Sequence, residues 1–276
     1  MSIHRNTPAL AREERVGDVR AILGLVYSAA SYLFFLSTFV YLALFSDGVL
    51  VAKSVDTGSA GDLTSALTLD LSLLLLFGVQ HSVMARASFK QVLTTVVPVH
   101  LERATFVLAS SAVLVLLMWL WRPLPSVLWS VESPYVAGAL WTLNALGWLG
   151  VPVCSYMIDH FDLFGLKQPL QHFRRVSVAR TGFVTPLLYK YVRHPMMTFF
   201  LLALWATPSM TLGHLVLSLG LSLYIFVGVH FEERALRREL GDDYVRYQRS
   251  TPRFFPIGAR EPVEASERTS VARPRS

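Results

Sequence analysis

Long apolar blocks alternate along this chain with short polar connections. The blocks run Ala21 to Phe45, Leu67 to Met84, Ala104 to Trp121, Tyr135 to Ile158, Pro195 to Pro208 and Leu212 to His230. All but the fifth reach about 18 to 25 residues, the helix length that crosses roughly 30 Å of hydrocarbon. The fifth would make only about 21 Å of helix. Thr207-Pro208-Ser209-Met210-Thr211-Leu212-Gly213 then turns the chain straight into the sixth block, so blocks five and six read as a tight helical hairpin. The predicted fold class is all-α: a multi-span transmembrane helical bundle of five or six hydrophobic segments ending in that hairpin. No internal repeat or soluble domain interrupts it. Within residues 159–194, His160-Phe161-Asp162-Leu163-Phe164-Gly165-Leu166 mixes large apolar and polar side chains as an interfacial segment does.

Composition narrows this further. The chain is 53% hydrophobic and 16% charged, against about a quarter charged in soluble domains, which excludes an ordinary soluble enzyme. The net charge of +6 is explained by where the basic residues fall. Segments outside the apolar blocks carry, in order, 4, 1, 3, 1, 6, 0 and 10 Lys or Arg residues, so alternate segments hold 23 on one side and 2 on the other. By the positive-inside rule the rich side is cytoplasmic and both termini lie inside, even if the hairpin is re-entrant. The basic balance thus reads as topology, with no nucleic acid partner. The first block is too long and too far in for a cleaved signal peptide. The organisation is a cytoplasmic segment 1–20, a membrane domain 21–257 and a tail 258–276 rich in Pro, Ser, Arg and Glu, expected to be disordered.

Several chemistries are excluded by spacing. One cysteine, Cys154, permits no intramolecular disulfide and no multi-cysteine metal site. No two of the eight histidines lie within five positions, so there is no HxxxH or HExxH metal pattern. Walker A and GxGxxG runs are absent, so a nucleotide-like cofactor has to bind between helices. A channel or pump would carry more charge at mid-membrane, where only Asp70 comes close. Four polar groups remain, all at the basic ends of blocks: Gln80-His81, Asp159-His160, Arg193-His194-Pro195, and His230-Phe231-Glu232-Glu233-Arg234. Lone histidines at span ends are ordinarily interfacial hydrogen-bonders, which ranks His81 and His160 lower, and Asp70 and Asn144 suit hydrogen bonds between helices. The two feet of the hairpin stand out, because a cation and two carboxylates would otherwise sit unpaired at a membrane interface. A site there faces the cytosol, takes a cytosolic metabolite as cosubstrate and admits an apolar substrate through the lipid bilayer.

At these residues the chain resembles the isoprenylcysteine carboxyl methyltransferase superfamily. The resemblance rests on Tyr191-Val192-Arg193-His194-Pro195, the hairpin, then Glu232-Glu233-x-x-Leu236, Gly241, Tyr244, Tyr247 and Pro256. Within the superfamily it is most similar to the methanethiol S-methyltransferases, through Lys53-Ser54-Val55-Asp56, Gln80 to Arg86, Trp121-Arg122-Pro123-Leu124-Pro125, His160 to Leu166 and Trp205 to His214, over roughly residues 20 to 257. It departs from the superfamily pattern RHPxYxG at Met197, in the tyrosine position, and at Phe199, in the glycine position where a small residue lets a neighbour approach closely.

This resemblance implies an integral-membrane enzyme that methylates a small thiol, methanethiol to dimethyl sulfide, using S-adenosyl-L-methionine. It also implies a cofactor site at the hairpin feet formed by Tyr191, Arg193, His194, Pro195, Met197, Glu232 and Glu233. Arg193, with its planar fork, suits the cofactor's carboxylate. Glu232 or Glu233 suits its ammonium or ribose. Neighbouring helical residues point about 100° apart, so one of the two faces the pocket, and Glu233 is preferred. His194 either accepts a thiol proton or binds the adenosyl part, with Arg193 and Glu233 completing the catalytic set. His81 and His160 are candidates for the substrate end. Transfer from sulfonium to thiolate merges two charges, which an apolar pocket favours, and requires no metal. The same fold also serves methylation of a prenylcysteine carboxylate or a phospholipid amine, and a non-catalytic sensor or transport subunit is a further alternative.

Overall fold

The computed structural model describes residues 7–59, 61–176 and 185–256, with side chains from residue 19 onward. The tail expected to be disordered, at 258–276, and nearly all side chains of the N-terminal segment lie outside the described residues. In chain order the helices are α1 (Thr7–Asp47), α2 (Leu63–Met84), α3 (Ala87–Leu93) and α4 (Glu102–Leu120), then strand β1 (Val127–Ser130). There follow α5 (Pro134–Ile158), α6 (His160–Leu163), α7 (Lys167–Arg174), α8 (Pro195–Trp205), strand β2 (Ser209–Thr211), α9 (Leu212–Leu240) and α10 (Asp242–Ser250).

Local signals start these helices. The Asp62 carboxylate accepts from Ser65 N at 2.9 Å to cap α2. Thr211 Oγ1 accepts from His214 N at 3.1 Å to cap α9, and Pro134 and Pro195 open α5 and α8, where a missing N–H costs nothing. Five helices are long and apolar enough to cross a membrane, with α8 the short one. In each, no more than 44% of the most apolar stretch is buried inside the protein. Leu23, Leu75, Leu149 and Leu223 are each more than 60% exposed, and a continuous apolar surface of this kind is stable only against lipid. The molecule is a multi-pass integral membrane protein. Its interior is a core of Leu42, Phe45, Phe77, Leu117, Trp121, Trp148, Leu204 and Leu217.

The hairpin is completed by backbone that is not helical. Eleven residues of α8 rise about 16 Å, half the hydrocarbon thickness. Beyond Trp205 the chain runs extended to β2, which pairs antiparallel with β1 in the α4–α5 connection, Val127 opposite Thr211 and Ser130 opposite Ser209. The hairpin therefore turns at the end of the bundle opposite Arg86, Arg103 and Arg193, hereafter the basic end. No water reaches a helix end at that depth, so its carbonyls need protein donors. Asn144 Nδ2 donates to Ala203 O at 2.9 Å, while His214 Nε2 and Ser218 Oγ both donate to Leu204 O at 3.0 Å. The polar residues inside the apolar blocks thus have the interhelical role expected of them. Asn144 also reaches Asp47 Oδ1 at 3.0 Å, and buried Asp70 accepts from Arg122 N at 2.9 Å. Sequence periodicity gives no sign of the β1–β2 pair, because three- and four-residue strands are too short to show alternation.

Helices α5 and α8 pack at backbone distance. A Cβ on Gly147 would stand 2.5 Å from Ala203 N, and one on Gly150 would stand 2.3 Å from the Phe199 ring. Phe199 occupies the superfamily's glycine position, and the missing small residue is found across the interface: Gly150 of α5 supplies the space that α8 lacks. Gly147→Val is expected to abolish folding, because the backbone it meets cannot move aside. Gly150→Ala is expected to lower stability by about 1–3 kcal/mol and to be largely relieved in Gly150→Ala/Phe199→Ala, read as melting temperature in detergent. Additive losses in the double variant would refute the size exchange.

Candidate active site

The site is built at the basic end where α8 begins and α9 leaves the bundle. Helix α9 needs about 20 residues from its cap at Thr211 to rise 30 Å, the length of a hydrocarbon crossing, and Glu232 and Glu233 follow just beyond that length. On α9, Ile225, Val229 and Glu233 share one buried stripe, and Tyr224, Gly228 and Glu232 share the next.

Glu233 is 1% exposed and both its oxygens are engaged. Arg193 Nε donates to Oε1 at 2.8 Å and Arg253 Nη2 donates to Oε2 at 2.6 Å. His194 Nε2 lies 3.2 Å from the same Oε1, and since a carboxylate can only accept, the proton sits on Nε2. Arg193 spends its remaining reach on the carbonyls of Gln248 and Thr251 through Nη1. The C-terminal segment is bound as a strap: Arg193 N donates to Pro252 O at 2.9 Å, His194 N to Arg253 O at 3.1 Å and Thr198 Oγ1 to Phe254 O at 2.7 Å. Tyr247 donates its hydroxyl to Tyr189 O.

Glu232 is different. Its side chain is 52% exposed, and His194 Nδ1 lies 3.7 Å from its Oε2, beyond hydrogen-bond reach. Burial holds the His194 pKa below the usual imidazole value, outweighing the upward pull of Glu233. At neutral pH His194 is then uncharged, with Nε2–H given to Glu233 and the Nδ1 lone pair turned toward the Glu232 carboxylate. Two acceptors face each other across a gap that calls for a donor. The half-buried Tyr189 phenol lies near Glu232, its pKa raised by burial first and then by neighbouring Cys154, Glu232 and Tyr247.

Above this mouth lies a cavity of about 280 Å³. Met196 and Met197 of α8 and Tyr224 and Ile225 of α9 line its lower part, with Leu163 and Phe164 beside them. Its inner end is closed by Phe39, Trp148 and Phe200, packed edge to face with ring centroids 5.7 to 6.2 Å apart. Its few polar groups include His81, Ser110, Ser111 and the Tyr224 hydroxyl. A Cβ on Gly228 would find only Tyr224 Cζ, at 4.0 Å, so there is open space beside the Tyr224–Gly228–Glu232 stripe.

The residues singled out from sequence are thus only partly gathered. Arg193, His194, Pro195, Glu232 and Glu233 lie together, and Met197 and His81 line the cavity. Tyr191 has its side chain 61% exposed, away from the cluster; Tyr189, two residues earlier, lies near Glu232. His160 is held outside the cavity, with Nε2 2.7 Å from Tyr32 Oη, Nδ1 2.7 Å from Ser155 Oγ and its ring stacked on Tyr156 at 4.1 Å. The preference for Glu233 as the pocket-facing glutamate, and for Arg193 as a free fork, does not match this geometry: each is occupied by the other. Sequence reasoning missed Arg253, Tyr189 and Tyr224. Tyr224 was legible, eight residues before Glu232 and so on its helical face, whereas nothing in sequence pairs Arg253 with a glutamate 20 positions earlier. Among the described residues no three His, Cys, Asp or Glu groups are close enough to hold a metal ion.

The two glutamates are expected to separate in stability. Glu233→Gln leaves two arginines without their counter-charge and should cost about 3–5 kcal/mol, the usual penalty for breaking a buried pair. Glu232→Gln should leave the melting temperature in detergent within a degree or two of the parent. Equal melting of the two variants would contradict the division described above.

No family model matches this chain, and no solved structure does. Curated proteins do. The chain is 45% identical to methanethiol S-methyltransferase of Mycobacterium tuberculosis over 238 residues, 86% of this chain and 98% of that protein. It is 48% identical to methanethiol S-methyltransferase of Pseudomonas deceptionensis over 241 residues, 87% of this chain and 92% of that one. A more distant likeness, 31% over 179 residues, covers 62% of this chain and 68% of nurim of Bos taurus. Identity at this level over nearly the whole membrane part, including both feet of the hairpin, means that the chain belongs to the methanethiol S-methyltransferase family.

Proposed function

We infer that this protein methylates methanethiol to dimethyl sulfide with S-adenosylmethionine, at a site opening to the cytosol from its basic end. The observation that carries this reading is the pair of facing acceptors, His194 Nδ1 and Glu232 Oε2, 3.7 Å apart, near an apolar cavity that Met196 and Met197 line. An ammonium group between them donates to both, which fits the amino acid end of such a cofactor. Arg253 is 42% exposed and gives only Nη2 to Glu233, so its other guanidinium nitrogens suit the adjoining carboxylate. When bound, S-adenosylmethionine supplies a methyl group made electrophilic by its sulfonium sulfur.

The remaining roles belong to the protein. Arg193 and Glu233 are positioning residues: they fix His194 in one tautomer and hold the strap against the start of α8. Pro195 starts α8 at that point, Met197 and Tyr224 line the cavity, and the cavity aligns a small sulfur nucleophile behind the methyl group. The aromatic seal of Phe39, Trp148 and Phe200 favours a small substrate over a prenyl chain. The 23 to 2 distribution of basic residues supports a cytosolic mouth and cytosolic termini.

Membranes containing the protein, given S-adenosylmethionine and methanethiol, are expected to release dimethyl sulfide into the headspace. No release above membranes lacking the protein, with cofactor binding confirmed by calorimetry, would remove the reading. Glu232→Gln should weaken cofactor binding at least tenfold at unchanged melting temperature. Cofactor affinity should hold from pH 8 to about 6.5, the ordinary imidazole value, and fall below it, because a proton on His194 Nδ1 removes the acceptor and adds a like charge. The fall should be shallower in His194→Gln, and affinity rising toward acid would contradict the assigned tautomer.

A further inference from the structure

We propose that His81, on α2, is the catalytic residue that takes the proton from the thiol, and that the apolar cavity beneath it is the thiol subsite. This rests on the methyltransferase reading above and goes beyond it by naming the nucleophile's partner. His81 lines the cavity, and its Nδ1 is buried with no hydrogen-bond partner. An orphaned ring nitrogen in the wall of an apolar cavity is costly, and a small turn of the ring would give it a group that brings its own hydrogen.

The ring is held from three elements. Phe77, one turn earlier on α2, lies with its centroid 5.4 Å away, Phe106 of α4 at 4.7 Å and Tyr224 of α9 at 5.5 Å. Tyr224 is the titratable group among these three rings, and among the described residues none forms an ion pair with His81. The alternative bases are otherwise engaged. His194 gives Nε2–H to Glu233, turns Nδ1 to Glu232 and does not line the cavity. Both nitrogens of His160 are hydrogen-bonded outside it.

The chemistry balances within this frame. The thiol sulfur forms a bond to the methyl carbon, whose bond to the sulfonium sulfur breaks with the electron pair staying on that sulfur. The S–H bond breaks, its pair remains on the thiol sulfur and the proton moves to His81 Nδ1. One positive charge is present before and after, carried first by the sulfonium and then by the imidazolium. The expense of holding a cation in an apolar cavity is thus largely common to both states. A preformed thiolate would instead have to be drawn out of water against its own desolvation. After dimethyl sulfide departs, the imidazolium returns its proton to water.

The test compares methanethiol with 2,2,2-trifluoroethanethiol, whose fluorines make it the stronger acid and so less dependent on a base. His81→Gln is expected to lose about 100-fold or more in kcat/KM with methanethiol and far less with the fluorinated thiol, while calorimetric affinity for S-adenosylmethionine stays unchanged. Its kcat/KM for methanethiol should climb tenfold per pH unit, tracking the thiolate, where the parent is flat through pH 7 to 9. Equal losses with both thiols would mean a structural role and overturn the proposal. So would a parent profile that itself climbs tenfold per unit, a result that needs no variant to fold. A parent that binds cofactor but methylates neither thiol would instead defeat the underlying reading.

Discussion

Everything at the basic end depends on one carboxylate between two guanidinium groups. Glu233 reaches Arg193 from the start of α8 and Arg253 from the C-terminal strap, so three stretches distant in sequence share a single buried charge centre. Such a centre adds little net stability, since the desolvation of its members offsets their attraction. What it provides is uniqueness of arrangement. With Glu233 saturated, His194 has one tautomer open to it, the strap has one register, and Glu232 is left as the carboxylate that still faces open space.

A second constraint acts at the opposite end, where the bilayer forbids unpaired backbone. Helix α8, with eleven residues, is too short to cross the hydrocarbon, which would be untenable for an isolated segment. It is tolerated because Asn144, His214 and Ser218 supply donors to its last carbonyls and because β2 finds β1. The early stop keeps α8 short enough for its first residues to sit at the basic end while its last pack at backbone distance against Gly147. The cavity lies between these two polar regions, with the rings of Phe39, Trp148 and Phe200 in its wall.

Sequence made the spans legible because apolar length is a one-dimensional property, and it located the hairpin feet because charge at a membrane boundary is rare. It distinguished poorly between neighbours. Whether Glu232 or Glu233 is buried in the ion-pair centre turns on a rotation of about 100° fixed by packing of Ile225 and Val229, which the motif itself does not encode. The same holds for Tyr191 and Tyr189, separated by the turn of a short 3-10 segment at Leu187–Lys190. Arg253 was out of reach altogether, since its role depends on the strap folding back over α8. The β1–β2 pair was hidden by its brevity.

The exchange between Phe199 and Gly150 has a consequence for how relatedness is recognised. Two helices can keep the same separation whichever of them contributes the bulk, so what the interface fixes is a combined volume shared by two positions about 50 residues apart. A pattern written for one helix records only half of that quantity and would discard a chain that satisfies the whole. Kinship in such bundles is better sought in paired sizes across a contact than in the letters of either partner.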